Sequence, residues 1–166
     1  MTIVTQTPRL IVREFVKQEE TLLLALYADE RVTKYVPKRT VEETKRQFAD
    51  AIKAYKDYKG LGRWGVFNPE NDEFIGVCIL KPADSDETRI ELGYVLSPKY
   101  WGKGIATELA KALVKYGFEQ KKLTEICACT DHENVASQNV LLKAGLLQEG
   151  TIFWHGQDLT FFRITR

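Results

Sequence analysis

The stretch Tyr94-Val95-Leu96-Ser97-Pro98-Lys99-Tyr100-Trp101-Gly102-Lys103-Gly104-Ile105-Ala106-Thr107 reads as a strand that passes through a short loop directly into a helix. A helix start offers backbone N–H groups with no intrahelical acceptor, together with the positive end of the helix dipole. Glycines in front of it let a ligand's phosphates approach that backbone closely. Trp101 to Ala106 is therefore a candidate pyrophosphate cradle, although a plain strand-to-helix turn has the same composition. Two other phosphate loops fail the test. Gly102-Lys103-Gly104 does not satisfy G-x-x-x-x-G-K-[ST]. In G-x-G-x-x-G the third glycine is replaced by Thr107, and the strand ends early, at Ser97-Pro98.

Working outward, hydrophobic periodicity gives the remaining elements. Arg9 to Phe15 is β-rich and reads as a first strand. Leu22, Leu23, Leu26 and Tyr27 recur at helical spacing over roughly 18–29, and Thr40 can cap a second helix over roughly 41–58. The period then changes. Trp64-Gly65-Val66-Phe67, the turn Asn68 to Asp72, and Phe74 to Leu80 form a hairpin. Lys81 to Glu87 reads as a polar loop and Arg89 to Leu96 as the strand entering the loop quoted above. Gly104 to Phe118 is an amphipathic helix, Glu125 to Thr130 a strand, and Val135 to Ala144 a helix that Gly145 terminates. Phe153-Trp154 and Leu159 to Ile164 flank a last turn. The order β-α-α-β-β-β-α-β-α-β-β places an antiparallel meander before a β-α-β crossover. An α/β (α+β) fold is expected, with a mixed sheet covered by helices on its faces.

Bulk properties narrow the classes. The 166 residues suit one domain, and 44% hydrophobic with 28% charged residues suit a globular one. A formal net charge of +1 gives no field to recruit nucleic acid or an anionic membrane. No apolar run is long enough to span a membrane and no signal peptide is apparent, so a cytoplasmic protein is expected. Cys78, Cys127 and Cys129 are an odd number and a poor disulfide framework. Cys127 and Cys129 share one side of a strand but have no second ligand pair, so core thiols and no metal are expected.

The central loop resembles motif A of the GNAT acetyltransferase superfamily, Q/R-x-x-G-x-G/A. It matches at Gly104 and Ala106, with Trp101 in the Q/R place. The Trp-Gly-x-Gly-x-Ala form resembles the branch that includes the ribosomal-protein alanine and serine N-acetyltransferases. So do the strands Thr7 to Arg13 and Glu91 to Leu96, and the pattern N-x-x-S-x-x-[VL]-x-x-K-x-G at Asn134, Ser137, Val140, Lys143 and Gly145. The matches span most of the chain, in order. The resemblance implies a single N-acetyltransferase domain over 1–166, with a mostly antiparallel sheet of about seven strands. It implies acetyl-CoA as cosubstrate. The backbone of Trp101, Gly102, Lys103, Gly104, Ile105, Ala106 and Thr107 would hold the pyrophosphate. The exposed backbone of Tyr94, Val95 and Leu96 would pair with the pantetheine arm, in a gap between that strand and the one ending at Thr130. Asn134 and Ser137 would also contact that arm.

Acyl transfer from a thioester needs a neutral amine, a polarised carbonyl, alignment and a departing thiolate. The N–H of Val95 or Leu96 is the expected oxyanion donor. Glu91 is the candidate general base, acting through water, because a carboxylate on a half-buried central strand needs a partner or a task. An ion pair with Arg89 or Arg13 is the structural alternative. Ser137, one helical turn from Asn134, is the candidate acid or thiol-orienting hydroxyl. The helix position seven residues after Asn134, where many family members carry a tyrosine acid, is Leu141. His132 reads as a solvated loop residue and His155 as an exposed residue of the last hairpin turn. The expected function is acetylation of a primary amine, on a protein N-terminus or a small molecule, by a monomer or homodimer. The alternative is a non-catalytic CoA-binding sensor.

Overall fold

The computed structural model describes residues 1–57 and 59–166. Along the chain run β1 (Ile3–Gln6), β2 (Ile11–Arg13), α1 (Glu20–Ala28), α2 (Val41–Ala54), β3 (Gly62–Phe67), β4 (Phe74–Ala83), β5 (Asp86–Leu96), α3 (Ile105–Glu119), β6 (Glu125–Thr130), α4 (Val135–Lys143), β7 (Leu147–Trp154) and β8 (Gln157–Thr165). The strands form one sheet in the order β1-β2-β3-β4-β5-β6-β8-β7. Every neighbouring pair is antiparallel except β5 and β6, which run parallel and are joined through α3.

Both faces of the sheet are covered, because successive side chains on its strands point to opposite sides. On one face Leu109, Leu113 and Phe118 of α3 meet Trp64, Val66, Leu80, Leu92 and Ile126. Each fully buried leucine there contributes about 1.5–3 kcal/mol relative to its exposed state. On the other face Leu23, Leu26 and Phe48 of α1 and α2 meet Phe15, Phe67 and Val77. Val66 and Phe67, adjacent in β3, thus belong to different layers. The cap expected at Thr40 is formed, and Glu43 completes a capping box: Thr40 N donates to Glu43 Oε2 at 2.7 Å and Glu43 N donates to Thr40 Oγ1 at 3.2 Å.

The differences from the sequence reading lie at edges and turns. Among the described residues there are eight strands, because Ile3–Gln6 pairs with β2 through an irregular register. As a short edge strand, exposed at both ends and half-buried between them, it carries no clean alternation. β7 begins at Leu147 rather than Phe153, and most of it is exposed at the opposite edge. The expected loop 81–87 is mostly strand, since β4 and β5 remain paired down to Ala83 opposite Asp86. The second helix ends at Ala54, and the expected end at 58 lies outside the described residues. Among the described residues no helix is long and apolar enough to cross a membrane.

Candidate active site

The quoted loop has the expected geometry. Pro98–Tyr100 form one turn of 3-10 helix, and α3 starts at Ile105 with Gly104 as its N-cap. Gly102 and Gly104 have φ of 69° and 75°, a region that costs an L-residue about 1–2 kcal/mol. With glycine at the cap, no side chain satisfies the helix start. The first intrahelical donor is Glu108 N, to Gly104 O at 3.1 Å. The amides of Ile105, Ala106 and Thr107 therefore face outward without an acceptor among the described residues. Lys103 and Trp101 stand on either side of Gly102, and Trp101 is 48% exposed.

Arg9 braces this loop from the turn between β1 and β2. Its Nη1 donates to Lys103 O at 2.8 Å and its Nε to Glu108 Oε2 at 2.7 Å. Glu108 also accepts from the Thr7 hydroxyl and the Arg9 amide. Partial burial pushes the Glu108 carboxyl up, but these donors together outweigh it and hold the group below the usual carboxylate range.

A gap opens beside the loop. The parallel pairing of β5 with β6 is confined to Glu91 opposite Cys127. Beyond that point β6 stays with β8 through Thr130, while β5 stays with β4 through Leu96. Ser97 N donates to Ile75 O. Amide directions alternate along an antiparallel strand, so Val95 faces Val77 of β4, whereas Tyr94 and Leu96 direct their amides into the gap. The expected free edge is thus carried by Tyr94 and Leu96 and not by Val95. The Leu96 carbonyl already accepts a hydrogen bond from Trp101 Nε1 at 2.9 Å. Trp101, in place of a polar side chain, ties the loop to the strand.

Glu91 sits where the two strands part, 6% exposed. Neither arginine expected as an alternative partner meets it. Arg13 pairs with Glu19 and Asp72, and Arg89 with Asp86 and Glu125. Lys81 lies opposite Glu91 in the strand register, but its ammonium pairs with Asp84. The partners of Glu91 are two residues that the sequence reading set aside. Cys129 Sγ donates to Glu91 Oε1 at 3.4 Å, and His155 Nε2 lies 3.4 Å from the same oxygen. His155 occupies the last hairpin turn as an exposed residue, as expected, with φ of 55°, but its ring, 29% of the side chain being exposed, turns toward the gap. The hydrogen bond to Glu91 raises its pKa, outweighing the burial that lowers it. Cys129 is only half-buried: it packs against the Trp154 cluster, as a core thiol would, but it also lines the cleft, and burial and the Glu91 charge push its pKa up. No pattern in the sequence joins these three groups, because Glu91 and His155 are 64 residues apart.

Asn134 and Ser137 line the same cleft. Asn134 caps α4, its Oδ1 accepting from Ser137 N at 3.2 Å. The hydroxyls of Ser137 and Tyr94 share a hydrogen bond of 3.3 Å, and burial raises the Tyr94 pKa. Tyr94 was expected to act through its backbone only; its side chain brings a phenol to Ser137, in a cleft that Leu141 of α4 also lines. His132 stays at the loop surface, with Nδ1 2.6 Å from Thr160 Oγ1. The far side of the cleft is formed by Tyr27 and Tyr35, by Arg39 and by Arg63.

The "Acetyltransferase (GNAT) domain" family model matches residues 9–147. The uncharacterized N-acetyltransferase p20 of Bacillus licheniformis is 32% identical over 149 residues, covering 88% of this chain and 83% of its own. The crystal structure of an acetyltransferase (GNAT family) from Bacillus anthracis is 29% identical, with a TM-score of 0.82 over 99% of this chain and 98% of that one. A ribosomal L7/L12 alpha-N-protein acetyltransferase solved with coenzyme A shares the fold, with a TM-score of 0.81 over 99% and 98% of the two chains at 16% identity. With an unsatisfied helix start, a parted strand pair and a family model spanning most of its length, the chain belongs to the GNAT acetyltransferase family.

Proposed function

We propose that the chain transfers an acetyl group from acetyl-CoA to a primary amine by direct attack on the thioester. The observation that carries this reading is the position of Glu91, at the point where β5 and β6 part and within the cleft that the free edge of β5 borders. The outward amides of Ile105, Ala106 and Thr107 suit a pyrophosphate, and the free edge of β5 suits an added strand such as the pantetheine arm.

Each protein group then has one task. Glu91 accepts a proton from the incoming ammonium, directly or through water, so that nitrogen attacks with its lone pair. The Leu96 amide, directed into the gap, donates to the carbonyl oxygen as negative charge develops there. The new C–N bond forms as the C–S bond breaks, the thiolate leaves with the electron pair, and the second proton of the attacking nitrogen passes to water or to that thiolate. Ser137, linked to the Tyr94 hydroxyl, orients the sulfur. A thiol of ordinary acidity leaves without much help. Asn134, with its Oδ1 engaged at the α4 cap, presents its amide N–H group to the pantetheine side.

A protein α-amine is the acceptor we favour over a small-molecule amine, supported by the ribosomal-protein relative named above and by the motif resemblance. Calorimetric titration with acetyl-CoA, using ATP and NAD as controls, tests the cradle. Thiol release on an amine and N-terminal peptide panel tests turnover. Micromolar acetyl-CoA binding with thiol release is expected. Binding without turnover on any amine would instead indicate a CoA sensor, and absence of binding would overturn the reading.

A further inference from the structure

The three groups gathered at the parting of β5 and β6 have donor chemistry of a second kind. Glu91 offers a carboxylate oxygen, Cys129 a sulfur and His155 an imidazole nitrogen, and their ligating atoms all lie within 4.8 Å of one another. Cys129 Sγ and His155 Nε2 are each 3.4 Å from Glu91 Oε1. Tetrahedral zinc with ordinary bond lengths sets its oxygen and nitrogen ligands about 3.4 Å apart and its oxygen and sulfur ligands about 3.6 Å apart. Two of the three edges of the cluster, those that meet at Glu91 Oε1, are therefore already near the spacing of such a site, and the third is no longer than 4.8 Å.

Its surroundings also suit a metal. Glu91 is buried, Cys129 is half-buried and His155 stands at the mouth, so the cluster has a closed base and an open side. The open side meets the cleft, leaving a fourth position for water or a ligand group. Sulfur with imidazole and a carboxylate selects a borderline ion such as zinc over magnesium or calcium, which prefer all-oxygen shells. The strands fix the backbone of two ligands, since Cys127, two residues before Cys129, is the one β6 residue in register with Glu91.

We propose that Glu91, Cys129 and His155 form a zinc-class metal site whose occupation switches acetyl transfer off. On binding, the thiol proton of Cys129 passes to water, the His155 ring coordinates as neutral imidazole, and one Glu91 oxygen becomes a ligand. That oxygen can no longer accept the proton of an incoming amine. The inhibitory half of the proposal rests on Glu91 being the base; the binding half does not.

The two halves are tested separately, on the metal-free full-length protein. Zinc titrated by calorimetry without acetyl-CoA is expected to bind one ion per chain with micromolar or tighter affinity. Cobalt at the same site is expected to give tetrahedral visible bands and a thiolate-to-metal charge-transfer band. Cys129→Ser is expected to abolish that band, and Cys129→Ser and His155→Asn each to weaken binding at least a hundredfold, while His132→Asn leaves it unchanged. Zinc is expected to raise the melting temperature of the parent protein and of neither ligand variant, which separates loss of the site from loss of the fold. Absence of stoichiometric binding, or binding that survives both ligand replacements, overturns the site. Binding that leaves amine acetylation untouched overturns the switch.

Discussion

Glu91 Oε1 lies 3.4 Å from Nε2 of His155, across the boundary where β5 leaves β6, and the pairing raises the imidazole pKa above its ordinary value. A histidine whose folded pKa exceeds its unfolded value of about 6.5 stabilises the protein fully below that pH. This contribution is lost as pH rises through the higher folded value. Replacing His155 by Gln removes it. The stability difference between parent and variant, from denaturant melts, is expected to be at most about 1 kcal/mol at low pH, as for a partly exposed pair, and to shrink as the pH rises past the folded pKa. A difference independent of pH would contradict the ion pair.

Glu91→Gln keeps the size of the side chain and one acceptor oxygen but cannot take a proton. If Glu91 is the base, kcat falls by about 10²–10⁴-fold. Acetyl-CoA affinity is expected to stay within a factor of two or three, because the helix start and the free strand edge are untouched. Steady-state kinetics with parallel calorimetry read both quantities, and an unchanged kcat would remove Glu91 from the mechanism.

The Tyr94 and Ser137 hydroxyls act as one hydrogen-bonded unit. Tyr94→Phe and Ser137→Ala are each expected to lower kcat by less than about tenfold, below the range of a committed general acid. The double variant is expected to do little more harm than either single change, since coupled partners are not additive. A loss of three orders of magnitude from one replacement would make that residue a true proton donor.

The strand-loop-helix at the centre was legible because its signals are local: a strand ending at Ser97-Pro98, glycines at positive φ, and a helical period that starts at once. Thr40 as the cap of α2, and Gly145 after α4, were legible for the same reason. The two edge strands were not, because β1 is only four residues long, β7 is largely exposed, and neither has the buried alternation that marks a strand. The site was half legible. A carboxylate on a central strand is conspicuous, and so is the Asn134–Ser137 spacing. The company of Glu91 was not. Cys129 reaches it from β6 and His155 from the β7–β8 turn, and only the sheet order brings those elements together.

Gly104→Val places a β-branched residue at φ 75°, costing about 1–2 kcal/mol or more. Its Cβ meets only Arg9 Nη2, at 3.6 Å, so the backbone and not a clash carries the cost. The helix start is expected to shift to relieve that strain. Acetyl-CoA affinity should then fall at least tenfold while the protein remains folded, as calorimetry and a thermal melt would show. Unchanged affinity would mean that the outward amides do not hold the pyrophosphate.

Arg9 separates positioning from folding. Its side chain is 49% exposed, so its ion pair with Glu108 contributes at most about 1 kcal/mol to stability. Yet it ties the Lys103 carbonyl and the first turn of α3 to the β1–β2 turn through forked donors. Removing that brace frees the loop and costs binding by lost preorganisation rather than by a lost contact. Arg9→Ala is thus expected to weaken acetyl-CoA several-fold, with a melting temperature within a few degrees of the parent. Arg9→Lys keeps the charge without the fork and should recover only part of the affinity. If Arg9→Lys restored affinity fully, the effect would be one of charge near the phosphates, and the brace would have no part in it.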